Sequence, residues 1–184
     1  EVTVHTTQAV RDAYEVAAHR GSDYDLVVCS GGDGTLDEVV SGLICLEKRP
    51  PLGYIPAGTT NDFAKSLGIS SNMTAAAANV LHGAPFAIDV GVFNDRNFAY
   101  VAAFGAFTDV SWQTPQQLKN TFGHLAYLME GLKSLPSITP HRMTVEFDDE
   151  VITDSFAYGM VTNSVSVGGF KSINGKDMEL DDGL

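Results

Sequence analysis

Apolar positions in the first 84 residues recur at the spacings of alternating strands and helices. The pattern predicts a first helix that is capped at Thr6 or Thr7, carries Val10 and Ala13 on its apolar face, and stops at Gly21. It then predicts strands over 25–29 and 52–56, and helices over about 36–46, from about 61 and near 73–82. This alternation favours a parallel sheet with helices on its faces.

The pattern changes near Pro85 to strands with period-two alternation. Strands are predicted over 86–93, from Phe98 onward, around Met143–Phe147 and over 158–162, with one helix over 115–133. We therefore predict two domains, an α/β domain over residues 1–84 and a β-rich antiparallel domain over residues 85–184.

Composition narrows the class of protein. The net charge of −12 argues against a nucleic-acid partner and against broad electrostatic adhesion to anionic lipid. No apolar run approaches the roughly 20 residues that span a bilayer, so no transmembrane segment is expected. Cys29 and Cys45 lie in apolar runs without metal-ligand spacing, so we expect two buried thiols and a reducing, cytoplasmic compartment.

The candidate chemistry begins where the first apolar strand meets Gly31-Gly32-Asp33-Gly34-Thr35, with an amphipathic helix opening at Thr35. Glycines let backbone N–H groups approach a ligand closely, and a helix N-terminus adds free donors, which together suit a phosphate. Asp33 would repel a phosphate unless it holds Mg²⁺ or contacts a hydroxyl, so the motif suggests a nucleotide with a metal. A simple tight turn is the alternative interpretation.

A second strand–loop–helix segment strengthens the nucleotide interpretation. The strand over 52–56 leads into Ala57-Gly58-Thr59-Thr60-Asn61-Asp62-Phe63-Ala64, with Gly58 and Thr59 at the loop tip. Loops that follow parallel strands lie at one edge of the sheet, so both loops are expected to line one crevice.

These two segments resemble the catalytic domain of the diacylglycerol kinase family, and most closely its soluble bacterial lipid kinase branch. Residues 31–35 are similar to that family's nucleotide loop, which NAD kinases and phosphofructokinases share. Residues 56–64 are similar to its second signature, P-x-G-T-x-N-D-F-A, and further similar stretches are 88–91, 119–127, 168–170 and 181–184. The resemblance implies an N-terminal Rossmann-like, phosphofructokinase-like sheet with a β-rich second domain, and a chain truncated at both ends.

The resemblance also implies an activity, the transfer of the γ-phosphoryl of Mg-ATP to a lipid hydroxyl such as that of diacylglycerol. Asp33 is the catalytic candidate, because the base proposed for the family would lie beyond Leu184. The implied nucleotide-site residues are Thr6, Gly31, Gly32, Asp33, Gly34, Thr35, Glu38, Gly58, Thr59, Asn61 and Asp62. Two of these have structural alternatives: Thr6 as a helix cap, and Glu38 in the field of its own helix.

A structural cation site is implied at Glu179, Asp182 and the carbonyl of Leu184, with a solvated acidic turn as the alternative. Asp37 stands where many relatives carry Asn. We expect it to face solvent, the alternative being an altered metal demand. The implied partner is a lipid at the membrane surface, met by transient peripheral contact, and a homodimer stays open.

Two other functions are weighed against the lipid kinase. One is a kinase for a soluble acceptor such as NAD or a sugar phosphate, and the other is a non-catalytic nucleotide-binding fragment. The second signature, over residues 56–64, favours the lipid kinase.

Overall fold

The structure is a computed structural model that describes residues 1–94, 96–105, 139–147, 149–167, 170–171 and 180–181. The chain divides into two compact units, residues 1–101 with 162–184, and residues 102–161. The domain boundary placed between residues 84 and 85 stays a prediction. The helix predicted over 115–133 and the cation ligands Glu179, Asp182 and Leu184 lie outside the described residues.

The first unit is built around two parallel strands. Strands β1 (Val27–Gly31) and β2 (Leu52–Pro56) pair in register from Val27↔Leu52 to Gly31↔Pro56. Helices α1 (Asp12–Arg20), α2 (Asp33–Ile44), α3 (Asp62–Ser66) and α4 (Met73–His82) belong to the same unit. The bounds of β2 and α4 are those that the sequence predicted.

Helix α2 supplies the centre of the hydrophobic core. Its predicted apolar stripe is buried and packs with Cys29 of β1, Tyr54 of β2 and Phe63 of α3; the stripe comprises Leu36, Val39, Val40 and Leu43. Burial of about four large apolar side chains contributes several kcal/mol to folding, on the order of 1.5–3 kcal/mol each. The core therefore fixes α2 against both strands and so positions the turn that precedes it.

The predicted start of α1 is wrong. The helix begins at Asp12, its N-cap Arg11 is left-handed with φ 70°, and Val10 is 87% exposed. The Asp12 carboxylate accepts the Gln8 N–H at 2.7 Å and contacts His5 at 3.0 Å. These contacts hold the chain in a turn ahead of the helix, so neither Thr6 nor Thr7 caps it.

Three further sequence expectations differ from the structure. Strand β1 lies two residues later than predicted, and α2 begins at Asp33 instead of Thr35, so the end of the glycine motif is helical. Cys29 is buried as expected, and burial raises the pKa of its thiol to about 11. Cys45 is exposed, because it follows the last residue of α2 at the helix end.

The antiparallel strands that were predicted after residue 85 are present. Strands β3 (Gly91–Phe93) and β4 (Arg96–Phe98) form a hairpin, β5 (Val101–Gly105) pairs with β8 (Tyr158–Thr162), β6 (His141–Phe147) pairs with β7 (Glu150–Phe156), and β9 (Ser166–Val167) pairs with β10 (Phe170–Lys171). Among the described residues, no helix is long and apolar enough to cross a membrane.

The strand predicted over 86–93 is confined to Gly91–Phe93. Just before it, the Asp89 N–H donates to the Leu180 carbonyl and the Asp89 carbonyl accepts from the Asn163 side chain, both at 2.8 Å. These partners come from irregular segments, so the backbone there is satisfied without a strand ladder.

Candidate active site

The loops after β1 and β2 meet at the carboxyl ends of the two strands. The Ala57 N–H donates to the Gly31 carbonyl at 2.8 Å, which continues the parallel pairing by one residue. Beyond it Gly32 and Gly58 touch, and a Cβ added at Gly58 would overlap the Gly32 Cα. The two glycines are therefore needed for the close approach of the loops, which lie side by side at one edge of the sheet as predicted.

Asn61 gives the second loop its shape. This residue is left-handed, with φ 51°, and it precedes the first residue of α3. Its side-chain oxygen accepts the Gly58 N–H at 2.9 Å and its amide nitrogen donates to the Gly58 carbonyl at 2.8 Å. The Tyr54 hydroxyl lies 3.3 Å from the Gly31 carbonyl oxygen, so the strand beneath also contacts the junction.

Asp33 joins the first loop to the second. One carboxylate oxygen accepts the Asp62 N–H at 3.0 Å and the other accepts the Phe63 N–H at 3.1 Å. These are the first two amides of α3, which have no partner within their own helix, so Asp33 satisfies them from another element. The charge that seemed unsuited to a phosphate site is thus engaged by the donors of α3.

The first turn of α2 is open by contrast. Its N-cap, Gly32, provides no side-chain hydrogen bond, and the first N–H of the helix to find a backbone acceptor is that of Leu36. The amides of Asp33, Gly34 and Thr35 precede that point. A Cβ placed on Gly34 would meet nothing within 4 Å beyond its own turn, so open space lies on that side of the helix start. A helix start of this kind suits an anion, because its amides and the helix dipole favour negative charge.

Gly34 does not have the positive φ that a tight turn would demand. Among the described glycines, Gly68 and Gly105 are the ones with positive φ. Gly34 instead lies within α2, where the absence of a side chain keeps the space clear.

Burial sets the electrostatics of the crevice. It raises the pKa of the Asp33 carboxyl, while the N–H groups of Asp62 and Phe63 act in the opposite direction. Asp62 is 2% exposed and receives a hydrogen bond from the Lys65 ammonium at 3.0 Å. Burial also raises the pKa of the Tyr54 hydroxyl, with the Asp33 charge contributing in the same direction. The site therefore holds one half-buried carboxylate, Asp33, and one buried carboxylate, Asp62.

Asp37 does not face solvent as expected. Its carboxylate is half-buried and accepts the N–H of Ala99, itself 1% exposed, at 2.9 Å. The Glu38 carboxylate accepts the Arg11 N–H at 2.9 Å, and its roles at the nucleotide and in the field of its own helix stay predictions. Both side chains bind backbone of a neighbouring segment, which no motif in the sequence indicated.

The remaining predicted residues are less closely engaged. Thr59 is exposed at the tip of the second loop. Thr35 is half-buried beside Gly31, and a Cβ added at Gly31 would lie 2.8 Å from the Thr35 Cβ. Thr6 is exposed, and its carbonyl accepts from the Gln8 side chain at 2.7 Å. No hydrogen bond among the described residues joins Thr6 to the two loops.

Comparison with known proteins identifies the family. The sequence model of the diacylglycerol kinase catalytic domain matches residues 1–93, half of the chain. The chain belongs to this family. Over its whole length it is 39% identical to the diacylglycerol kinase of Bacillus subtilis strain 168 and 36% identical to that of Staphylococcus epidermidis strain RP62A. The resemblance drawn from the two loops is thereby confirmed.

A solved structure agrees with the fold. A diacylglycerol kinase from Bacillus anthracis strain Sterne superposes with a TM-score of 0.72 at 28% identity, covering 96% of this chain and 56% of that protein. The α/β class with antiparallel strands is thus confirmed. The chain spans 61% and 58% of the lengths of the Bacillus subtilis and Staphylococcus epidermidis relatives.

Proposed function

We propose that this chain carries the nucleotide site of an ATP-dependent lipid kinase, which transfers the γ-phosphoryl of Mg-ATP to the hydroxyl of a lipid such as diacylglycerol. One observation carries the proposal. The first turn of α2 has no side-chain cap and opens onto free space at Gly34, while the neighbouring helix α3 already has its amides satisfied by Asp33.

The two helix ends therefore differ in what they can bind. At α3 the carboxylate of Asp33 already takes the place that an anion would occupy. At α2 the amides of Asp33, Gly34 and Thr35 are placed to donate to phosphate oxygens, and the Thr35 hydroxyl adds one more donor. The phosphates are proposed to lie against α2, with Gly58 and Thr59 of the second loop beside them.

Asp33 has two tasks in this proposal. Its carboxylate holds α3 in place, and the remaining lone pairs of its two oxygens face a hydroxyl or a metal. The described residues contain no group of three or more acidic, histidine or cysteine side chains that could hold a metal by themselves. Mg²⁺ commonly binds through one or two carboxylates and substrate phosphates, so the metal is proposed to arrive with the nucleotide.

The chemical work left to the chain is positioning and charge neutralisation. In phosphoryl transfer the attacking and leaving oxygens lie roughly in line and charge spreads over the transferred group. Backbone donors at a helix N-terminus meet that charge without reorganising during the step. A preference for a lipid acceptor is supported by the relatives, which are named diacylglycerol kinases.

The proposal is tested in two stages. Calorimetry with a non-hydrolysable ATP analogue and Mg²⁺ first measures nucleotide binding by the chain, and no binding would overturn the proposal. Transfer of labelled phosphate from ATP is then measured with diacylglycerol in mixed micelles, NAD and a sugar phosphate as acceptors. Labelling of diacylglycerol would support the lipid assignment, and labelling of a soluble acceptor alone would replace it. Binding without labelling of any acceptor would favour the non-catalytic nucleotide-binding fragment.

A further inference from the structure

Polar residues are buried behind the second loop, in the same unit. Asp62 is 2% exposed, and Asn163 and Ser164 are fully buried. Asp62 opens α3, whereas Asn163 and Ser164 lie about 100 residues later, in a segment that we call the return segment, residues 162–165. Burying polar groups is costly unless they are hydrogen-bonded, so their common location requires an explanation.

The hydroxyl of Ser66, the last residue of α3, connects the two regions. It donates to the Asp62 carbonyl at 3.1 Å, lies 2.8 Å from the Ser164 hydroxyl, and accepts the Val165 N–H at 3.1 Å. A hydroxyl has one hydrogen and two lone pairs. When the Ser66 hydroxyl donates its hydrogen to the Asp62 carbonyl, both of its lone pairs accept donors from the return segment. All three of its hydrogen-bonding positions are then used.

The return segment is itself fixed. The Thr162 hydroxyl accepts the Ser164 N–H at 3.1 Å and donates to the Ser164 carbonyl at 2.9 Å. The Asn163 N–H donates to the Tyr100 carbonyl at 2.8 Å, and its side-chain amide donates to the Asp89 carbonyl at 2.8 Å. Four hydrogen bonds thus tie the return segment to itself and to the carbonyls of residues 89 and 100, while the buried Asn163 Oδ1 has no partner among the described residues.

These contacts form a continuous path to the candidate site. The return segment bonds to Ser66, Ser66 bonds to Asp62, and the Asp62 N–H bonds to the Asp33 carboxylate. We infer that Ser66 and Ser164 are positioning residues, which hold α3 and the loop before it in the geometry that binds the nucleotide. The inference rests on the proposed function for its ligand, and on the described hydrogen bonds for its mechanism.

The test replaces the hydroxyl at the junction. Ser66→Ala leaves the Ser164 hydroxyl and the Val165 N–H without their acceptor, and we expect affinity for a non-hydrolysable ATP analogue to fall roughly five- to tenfold. Ser66→Thr keeps the hydroxyl and should recover most of the loss. Ser164→Ala removes one donor and should have a smaller effect, with the double variant no worse than Ser66→Ala, because both act at one junction.

Two further measurements separate positioning from general destabilisation. Affinity is measured well below the melting temperature of each variant, and amide hydrogen exchange of residues 57–66 is measured without nucleotide. Ser66→Ala should speed that exchange at least threefold. Ser70→Ala is the matched control, since its hydroxyl accepts only a local N–H, that of Asn72 at 3.1 Å, among the described contacts. It should change neither exchange in 57–66 nor affinity.

The results distinguish a failure of this inference from a failure of the proposed function. Unchanged exchange and affinity within twofold in Ser66→Ala would overturn the inference and leave the proposed function standing. Absence of nucleotide binding by the unaltered chain would overturn the proposed function, and with it the link between this junction and a nucleotide. If Ser66→Ala does not fold, Ser164→Ala provides the same two readouts at the same junction.

Discussion

Three acidic side chains near the start of α2 each accept backbone N–H groups from a different segment. Asp33 binds the first amides of α3, Asp37 binds Ala99, and Glu38 binds Arg11. A carboxylate accepts such bonds more strongly than a neutral group. At the scale of single residues, the acids of α2 therefore assemble the surroundings of the crevice, in addition to any contact with a ligand.

The number of amides bound predicts how each acid responds to amidation. Asp33 uses both oxygens, so Asp33→Asn should lose one bond and roughly 1–2 kcal/mol of unfolding free energy, and Asp33→Ala roughly 2–4 kcal/mol. Glu38 uses one oxygen, so Glu38→Gln should stay within about 0.5 kcal/mol of the unaltered chain. Urea unfolding followed by circular dichroism measures all three, and equal effects of the two amide variants would contradict the argument.

Asp37 predicts a pH dependence. Burial raises the pKa of this carboxyl above its ordinary 3.8, and the Ala99 N–H only partly opposes the rise. A group whose pKa is higher in the folded state binds its proton more tightly there, so its contribution to stability falls as the pH rises through that window. Asp37→Asn keeps one acceptor without the charge, and should raise the unfolding free energy at pH 8 by roughly 0.5–1 kcal/mol.

That gain should shrink as the pH falls toward the ordinary value of 3.8, because the folded-state carboxyl, whose pKa is higher, then takes up its proton first. Urea unfolding at pH 8, 6 and 4.5 measures the difference in unfolding free energy between Asp37→Asn and the unaltered chain. The contribution of Asp33 titration cancels in this difference because both chains contain Asp33. A difference that stays constant with pH, or a loss of stability at pH 8, would contradict the argument.

At the scale of elements, the sequence correctly predicted the helices and strands whose position follows from the periodicity of apolar residues. The strand over 52–56, the helix over 73–82 and the buried stripe of α2 were predicted because packing follows the apolar pattern there. The start of α1 was missed because Asp12 and Glu38 bind backbone ahead of the helix, and contacts between Glu38 and Arg11, 27 residues apart, leave no local signal.

In the candidate site, likewise, one part could be predicted from the sequence and another could not. The glycine motif and the second loop could be assigned to one crevice because both follow parallel strands. The side-chain positions could not be derived from spacing. Asp33 turns to α3, Asp37 turns to Ala99 and Ser66 meets residue 164, and each of these partners is chosen by the tertiary fold.

Gly34 provides the element-scale prediction. It is the second residue of α2 and an added Cβ meets nothing, so Gly34→Val should change the unfolding free energy by less than about 1 kcal/mol. The same side chain would occupy the space beside the free amides. Calorimetry with an ATP analogue should show about tenfold weaker binding for Gly34→Ala and no measurable binding for Gly34→Val, an effect of at least 1.4 kcal/mol.

Thr74→Val is the matched control, because Thr74 is the exposed second residue of α4 and the change places the same side chain in another first turn. It should leave affinity unchanged. Nucleotide affinity that survives Gly34→Val would mean that the first turn of α2 is not the phosphate site.

At the scale of the whole molecule, the negative charge of the chain opposes the contact with a membrane surface that a lipid acceptor would require. The net charge of −12 is unfavourable for an anionic bilayer surface, whereas the relatives are named for a membrane lipid. Any contact of this chain with a bilayer must then rest on apolar groups or on a local cationic surface, since the overall field repels anionic headgroups. The same field repels a free nucleotide, so the proposed nucleotide binding should depend on neutralisation by a divalent cation.

Cation dependence should therefore have two separable parts. The resemblance implies a structural site at Glu179, Asp182 and the Leu184 carbonyl, and a cation at 100 times its dissociation constant there would add about 2.7 kcal/mol to the unfolding free energy without nucleotide. Glu179→Gln with Asp182→Asn should abolish this stabilisation and leave the Mg²⁺ requirement of nucleotide binding intact.

Asp33→Asn should leave the stabilisation by the cation intact and change the Mg²⁺ requirement of nucleotide binding, because Asp33 is the acid proposed to meet the metal that accompanies ATP. Thermal melts with and without Ca²⁺ or Mg²⁺, paired with calorimetry of the ATP analogue, distinguish the two parts. Identical melts of the nucleotide-free chain in both conditions would exclude the structural site, and an unaltered Mg²⁺ requirement in Asp33→Asn would remove Asp33 from the metal.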